Sequence, residues 1–198
     1  MSAVNSQKSP LDSLYPSHLG LWQISELDKG EIFTNRQTVE FMISALGIPQ
    51  SIMEAGTKIL EPSCGQGEFV LALAKILCSE IKKEHKEPDL EALSKKILAF
   101  DISKDNLLIV KDRLLTILLN VFSLDDAYYL IEAWLRHEDF LLAEIDGEYS
   151  HILGNPPYIR VENIPKPILT LYREIFEIMT DRADIYIAFF EKGLKSLQ

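Results

Sequence analysis

The segment HILGNPPYIR, residues 151–160, ends an apolar run with an amide, two prolines and an aromatic ring. Proline cannot donate to a β-ladder and is rejected by a helix interior, so the run must stop here. The Asn155 side-chain oxygen and the Pro156 carbonyl are two acceptors, and Pro156 and Pro157 offer no competing N–H donors. Acceptors placed on the N–H bonds of a delocalised amine would pull it towards a tetrahedral, nucleophilic form. The segment therefore predicts chemistry at a planar nitrogen.

Tyr158 completes this segment with a flat ring. Such a ring can stack on a base turned out of a nucleic-acid duplex, and stacking on an aromatic is worth about 1–3 kcal/mol per base. The alternative is a rigid turn after a strand with Tyr158 as a packing ring, which is what an isolated Pro-Pro usually means. The motifs that precede the segment favour the functional interpretation.

A glycine turn in LEPSCGQGEFV is the second candidate site. Gly65 and Gly67 let the backbone turn sharply and approach a ligand without a Cβ in the way. The helix predicted from about Glu68 directs free N–H groups at that ligand, which suits a carboxylate. A dinucleotide fingerprint would need a glycine at Val70, and no Gly-Lys-Ser/Thr of a P-loop follows. The alternative is a tight turn between a strand and a helix.

Asp101 is a third candidate because it ends the buried segment KKILAFDIS. A carboxylate at a strand end can accept both hydroxyls of a ribose. The alternative is a cap for the following helix, which Ser103 could provide equally well. His137 and His151 are interpreted as ordinary surface or core residues. The two cysteines form neither a disulfide framework nor a metal cluster, and no metal site is predicted.

Alternating strand and helix patterns must position these residues. Strands are predicted in TKILE, KKILAFDIS and YSHILG, a short segment in EDFLL, and helices in NRQTVEFMISAL, EFVLALAKILCSEIKK, KDNLLIVKDRLLTILLNVF and DDAYYLIEAWLRH. The alternation is typical of an α/β domain with a mostly parallel sheet flanked by helices. Ligands bind such sheets at the carboxyl ends of the strands. Glu61, Asp101, Asp139 and Asn155 should meet there.

Composition limits the class of protein. The 198 residues are 47% apolar and 25% charged, as in an ordinary globular protein. The net charge is −10, whereas a free-standing DNA-binding protein usually carries a surface rich in positive charge. If the protein acts on nucleic acid, the main contacts with phosphates must therefore lie elsewhere. No apolar run approaches the roughly 20 residues that cross a bilayer. Since MSAVNSQKSP is no secretory signal, we expect no membrane partner and a cytoplasmic location.

With these motifs in this order, the chain resembles S-adenosylmethionine-dependent DNA adenine-N6 methyltransferases whose methionine-end motif precedes the glycine motif. Among these it is most similar to modification enzymes of restriction and phage-defence systems. The resemblance is carried by FTNRQTVEFM, LEPSCGQGEFV, FDIS, EDFLL, NPPY and RADIYIAFFEKGL. The first motif departs from the family pattern Tyr-Thr-Pro, because Asn35 stands in place of the proline.

The resemblance implies a Rossmann-like class I methyltransferase fold in residues 30–198, after an N-terminal tail and lead-in over residues 1–29. It implies S-adenosylmethionine as cofactor and double-stranded DNA as partner. The implied catalytic residues are Asn155, Pro156, Pro157 and Tyr158. The implied cofactor residues are Phe33, Thr34, Glu61, Pro62, Cys64, Gly65, Gly67, Phe69, Asp101, Ile102, Asp139, Phe140 and Asn155.

Three of these cofactor residues receive specific roles from the resemblance. Glu61 would contact the amino group of the methionine moiety. Asp139 would contact the adenine amine of the cofactor, and Phe140 would pack on that adenine. For Asp139 a purely structural role stays open, because HEDF is short and flanked by charges.

Other functions stay open at this point. NPPY also occurs in enzymes that methylate a glutamine amide in proteins, although their glycine motif is closer to DLGTGTG. RNA adenine methylation and a non-catalytic cofactor-binding or assembly module are further alternatives. The family domain normally has seven strands and this chain supplies about four, so we expect the N-terminal part of a larger protein. Its open sheet would expose an edge at HILG, which predicts self-association or marginal stability.

Overall fold

The structure is a computed structural model that describes residues 34–84, 87–180 and 184–198. A four-stranded sheet lies at its centre, in the order β3-β2-β1-β4. All three neighbouring pairs are parallel. The strands are β1 (Ile59–Glu61), β2 (Ile97–Asp101), β3 (Leu135–His137) and β4 (His151–Ile152). The predicted α/β class with a parallel sheet is confirmed.

Eight α-helices flank this sheet within the described ranges. They are α1 (Arg36–Ala45), α2 (Ile48–Ser51), α3 (Glu68–Glu84), α4 (Leu90–Ser94), α5 (Lys104–Leu118), α6 (Leu124–Trp134), α7 (Lys166–Ile175) and α8 (Tyr186–Lys195), with a 3₁₀ turn at Val161–Asn163. Asn35 caps α1 by accepting from the Thr38 N–H at 2.9 Å. Gly47 then takes φ +69°, a left-handed conformation that ends α1.

Three local expectations were wrong or incomplete. Leu135–His137 continues the helical sequence pattern of α6 but forms β3, because it pairs with β2 from Ala99 to Asp101. The short α4 was not predicted from the sequence. The short α2 follows Gly47 directly, with a proline in its first turn. In the first case pairing with a distant strand overrides local periodicity.

The core lies on both faces of the sheet. Successive side chains of a strand point to opposite faces, so Ile59 of β1 and Ile97 of β2 join one cluster with α1, α3, α5 and α6. Leu60 and Phe100 point the other way and join a second cluster with α7, α8 and the segments beside them. The result is a three-layer helix–sheet–helix arrangement.

The outer side of β4 is partly covered by the chain itself. The Tyr149 N–H donates to the Ser196 carbonyl at 2.9 Å, and the Gln198 N–H donates to the Tyr149 carbonyl at 3.1 Å. These bonds form a parallel bridge between Tyr149 and Leu197, so residues after α8 begin to pair where β4 starts. The predicted self-association through this edge stays a prediction.

Within the described residues, every helix is too short or too polar to cross a bilayer.

Candidate active site

The predicted site residues end four neighbouring strands. Glu61 is the last residue of β1 and Asp101 the last of β2. Asp139 follows β3 by two residues, and Asn155 follows β4 by three. Because the strands are parallel, these positions share the carboxyl edge of the sheet. The strand pattern predicted this placement correctly, whereas the roles of the side chains stay predictions.

The loop between β1 and α3 is the glycine turn. Gly65 and Gly67 both have left-handed backbones, with φ +51° and +89°. A Cβ added at Gly67 would lie 2.9 Å from a methyl carbon of Val110 on α5, closer than real contacts allow. The Cys64 N–H donates to the Phe100 carbonyl at 2.8 Å, which fixes the loop to β2. The Cys64 side chain is buried.

Asp101 holds this loop in place. Its Oδ2 accepts from the Gly65 N–H at 2.7 Å, and its Oδ1 accepts from the Ser103 N–H at 2.7 Å. The Asn106 amide lies 3.4 Å from the same Oδ1. The cap of α5 is Ser103, which accepts from the Asn106 N–H, so the capping alternative for Asp101 is wrong. The hydrogen bond between Asp101 and Gly65 was not predicted, because nothing in the sequence relates residues so far apart.

Glu61 is buried beside the NPPY segment, residues 155–158. Its side chain is 1% exposed, and neither carboxyl oxygen has a hydrogen-bond partner among the described residues. A Cβ at Gly154, directly before Asn155, would lie 3.7 Å from Glu61 Cγ and 3.4 Å from Pro62 Cδ. Burial raises the pKa of the Glu61 carboxyl well above its usual range. The carboxyl therefore lies where the glycine loop and the NPPY segment meet.

The NPPY segment begins where the ladder ends. The Leu153 N–H donates to the Leu60 carbonyl at 2.9 Å, and the Ser63 hydroxyl of the glycine loop donates to the Asn155 carbonyl at 3.1 Å. The side chains of Asn155, Pro156 and Pro157 are partly buried. These contacts join the two motifs that the sequence singled out, 92 residues apart.

Tyr158 belongs to a row of aromatic rings on the surface. Its side chain is 53% exposed, and its ring centroid lies 6.2 Å from that of Tyr186 in the first turn of α8. Tyr186 in turn lies 6.1 Å from Phe190. A packing ring would be enclosed, so this exposure disfavours the purely structural interpretation of Tyr158. Sequence reasoning did not identify Tyr186, although it recognised the motif that contains it.

Asp139 is anchored from two directions. Its Oδ1 accepts from the Leu141 N–H at 2.9 Å, and its Oδ2 accepts from the Tyr172 hydroxyl of α7. Both Asp139 and Tyr172 are buried. Tyr172 was not predicted, since a tyrosine in an amphipathic helix gives no signal for a partner on another element.

Phe140 occupies a core position. Its ring stacks on Phe189 at 5.4 Å, meets Phe100 edge-on at 5.6 Å, and has the Lys192 Nζ 5.2 Å from its centroid. Burial lowers the pKa of Lys192 to about 8. These neighbours enclose the Phe140 ring, which is 1% exposed. Packing on a cofactor adenine stays a prediction and requires one of the neighbours to move.

The remaining predicted cofactor residues have mixed positions. Phe33 lies outside the described residues, and Thr34 is partly buried just before the cap of α1. Phe69 is buried in the first core cluster, so its side chain packs rather than lining an open surface. The Ile102 carbonyl lies 3.2 Å from His137 Nε2, a contact that joins the ends of β2 and β3.

Replacing Tyr172 by phenylalanine tests the anchoring of Asp139. We expect the free energy of unfolding to fall by about 1–3 kcal/mol, because a buried carboxyl loses a hydrogen bond. Tyr129→Phe, which removes an exposed hydroxyl on α6, is the control. An unchanged free energy of unfolding in Tyr172→Phe would contradict the anchoring role.

The sequence of the chain is similar to those of known restriction-modification methylases, which is consistent with the geometry of the site. Residues 68–198 match the model of the Eco57I restriction-modification methylase family. The chain is 34% identical over 171 residues to the type II methyltransferase M.PaeR7I of Pseudomonas aeruginosa and 33% identical over 173 residues to M.XhoI of Xanthomonas vasicola. These alignments cover 85% and 86% of the chain but only 30% and 32% of the relatives. The chain thus spans about a third of their length.

Two solved structures share the fold. One is a Listeria monocytogenes protein described as a class I S-adenosylmethionine-dependent methyltransferase, with a TM-score of 0.50, 13% identity, and coverage of 85% of this chain and 45% of that one. The other is a Vibrio vulnificus protein described as the modification subunit of a type I restriction enzyme, with a TM-score of 0.50, 19% identity, and coverage of 85% and 31%. The fold is that of the class I methyltransferases, and the chain belongs to the Eco57I restriction-modification methylase family.

Proposed function

We propose that the full-length protein transfers a methyl group from S-adenosylmethionine to the N6 amine of adenine in DNA, within a restriction-modification or related defence enzyme. The observation that carries the proposal is the 3.1 Å bond between the Ser63 hydroxyl and the Asn155 carbonyl. It joins a glycine loop suited to a cofactor with a pair of acceptors suited to an exocyclic amine. Family membership and the type II methyltransferase relatives support the same reaction.

The residues around the glycine loop fit this cofactor. Gly67 leaves room for no Cβ, and the first turn of α3 offers free N–H groups to a carboxylate. Glu61 supplies a buried carboxyl without a partner among the described residues, which suits an amino group. Asp101 would accept from ribose hydroxyls in addition to holding the loop. When bound, the cofactor supplies a methyl group on a sulfonium, which is already a strong electrophile.

The catalytic segment would prepare the amine. The lone pair of the adenine N6 amine is delocalised into the ring, which makes it a poor nucleophile. The Asn155 side-chain oxygen and the Pro156 carbonyl would accept its two N–H bonds and draw it towards tetrahedral geometry. Alignment with the methyl group then carries much of the remaining barrier. No strong general base is needed, so an amide is sufficient.

Tyr158 would hold the target base outside the duplex. Turning a base out costs a few kcal/mol, and stacking on an aromatic ring returns about 1–3 kcal/mol. The exposed Tyr158 ring beside Asn155 is available for such stacking. Because the net charge is −10, the main contacts with DNA phosphates would come from elsewhere in the full-length protein.

The product of the reaction tests the proposal. The full-length protein is incubated with methyl-labelled S-adenosylmethionine and, separately, with duplex DNA, RNA or protein, and each product is digested to nucleosides or amino acids. We expect label in N6-methyl-2′-deoxyadenosine from DNA alone. Label in another DNA base, in RNA adenine or in glutamine would contradict the substrate assignment. Cofactor binding without any transfer would favour a non-catalytic module.

A further inference from the structure

The Glu61 carboxyl is unlike every other buried polar side chain in the described residues. Its two oxygens are the only buried side-chain oxygen or nitrogen atoms there that lack a hydrogen-bond partner. A buried group left unsatisfied costs about 1–3 kcal/mol, and more when charged, so native structures rarely keep one without a reason. An orphaned carboxyl at the edge where ligands bind indicates that a donor arrives with the ligand.

The position of Glu61 shows which ligand group could reach it. Its Cγ lies against Gly154, where a Cβ would be only 3.7 Å away, and Pro62 packs on the same glycine. Gly154 precedes Asn155, which is bonded to Ser63 of the glycine loop. A donor that reaches Glu61 must therefore come from between the two motifs, where the proposed cofactor would bind.

The charges around Glu61 disfavour its ionised form in the empty protein. Burial is the largest cause that raises its pKa, and the carboxyls of Asp101 and Glu68 raise it further. The Val70 N–H, in the first turn of α3, faces the carboxyl and lowers its pKa, although the contact falls short of a full hydrogen bond to either oxygen. Glu68 is itself paired with Arg113 at 3.0 Å, which reduces its contribution. Burial without a full hydrogen bond therefore favours the protonated, neutral form of Glu61 in the empty protein.

Resting on the proposed function, we propose that cofactor binding ionises Glu61. The α-ammonium group of S-adenosylmethionine docks against the carboxyl, the carboxyl O–H bond breaks, and its proton leaves to solvent. The ammonium keeps its three protons and donates one of them to the new carboxylate. No covalent bond of the cofactor changes in this step, and the charge that remains in the site is a compensated pair.

The sign of the pH dependence follows from this exchange. The empty protein holds one proton more at Glu61 than the complex does, so a higher pH favours the complex. Affinity should rise about tenfold per pH unit below the raised pKa of the empty protein and level off above it. The test belongs below the pKa of the cofactor's own amine, which is about 7.7–8.0 for an α-amino group.

Calorimetric titration of the full-length protein with S-adenosylmethionine measures this exchange directly. Titrations between about pH 5 and about pH 7, in buffers of different ionisation enthalpy, give the number of protons released. We expect a maximum close to one proton per cofactor. S-Adenosylhomocysteine, which keeps the amino acid moiety, should release the same number. 5′-Methylthioadenosine, which lacks that moiety, should bind without release.

The variant Glu61→Gln tests whether proton release on cofactor binding depends on the Glu61 carboxyl, without disrupting the fold. It keeps the shape of the protonated carboxyl, so we expect a folded protein that binds the cofactor more weakly, with pH-independent affinity and no proton release. Glu132→Gln, which removes an exposed carboxyl paired with Lys111 on the surface, should behave like the original protein. Binding without proton release in the original protein would overturn the coupling alone. Absence of any binding would overturn the proposed function and the coupling with it.

Discussion

Replacing Asn155 by alanine in the full-length protein should lower kcat by about 10²–10³-fold and leave the affinity for S-adenosylmethionine almost unchanged. The size follows from the loss of one preorganised polar group that acts on developing charge at the reacting atom. The cofactor affinity should persist, because the backbone carbonyl of Asn155 still accepts from Ser63. Single-turnover methylation and calorimetric titration measure the two quantities separately.

Two matched variants sharpen this prediction. Asn155→Asp keeps an acceptor oxygen at the same place, so it should retain more activity than Asn155→Ala. Asn120→Ala removes an exposed asparagine whose amide caps the end of α5, and kcat should not change. If Asn155→Ala kept full activity while remaining folded, the proposal that Asn155 reshapes the amine would fail.

The fold class could be predicted from the sequence, because the patterns that indicate strands and helices are local. β1 is short and apolar before Glu61 and is followed by Pro62, and β2 is apolar up to Asp101, its last residue. β3 is the exception, since Leu135–His137 follows a helix without a break and becomes a strand only through pairing with β2. The end of β1 was predicted correctly, whereas the segments predicted for β2 and β4 extend two residues beyond both ends of the observed strands.

The partners of the site residues could not be predicted. Asp101 was expected to face a ribose, yet the structure uses it first to hold Gly65 and Ser103. Asp139 was expected to face an adenine, yet its carboxyl is held by Tyr172. The contacts with Gly65 and Tyr172 link residues more than 30 positions apart. They depend on how the elements pack in three dimensions, which periodicity and spacing do not encode.

Gly67→Ala should be the most damaging single change in the glycine loop. Gly67 has φ +89°, where a Cβ costs about 1–2 kcal/mol. The added methyl would also lie 2.9 and 3.1 Å from the two methyl carbons of Val110 and 3.2 Å from Val70 Cγ1. Overpacking of a tight site costs about 1–3 kcal/mol. We expect the free energy of unfolding to fall by about 2–5 kcal/mol in chemical denaturation, together with a loss of cofactor affinity.

Substitutions at two other glycines separate the backbone cost of Gly67→Ala from its packing cost. Gly47 has φ +69° with nothing within 4 Å of an added Cβ, so Gly47→Ala should show the backbone cost alone. Gly56 has neither a positive φ nor a neighbour, so Gly56→Ala should leave stability unchanged or raise it slightly. Adding Val110→Ala to Gly67→Ala should cost less than the two single changes together, because the smaller side chain removes the clash. Strict additivity would show that Gly67 is required for its backbone and not for its packing against α5.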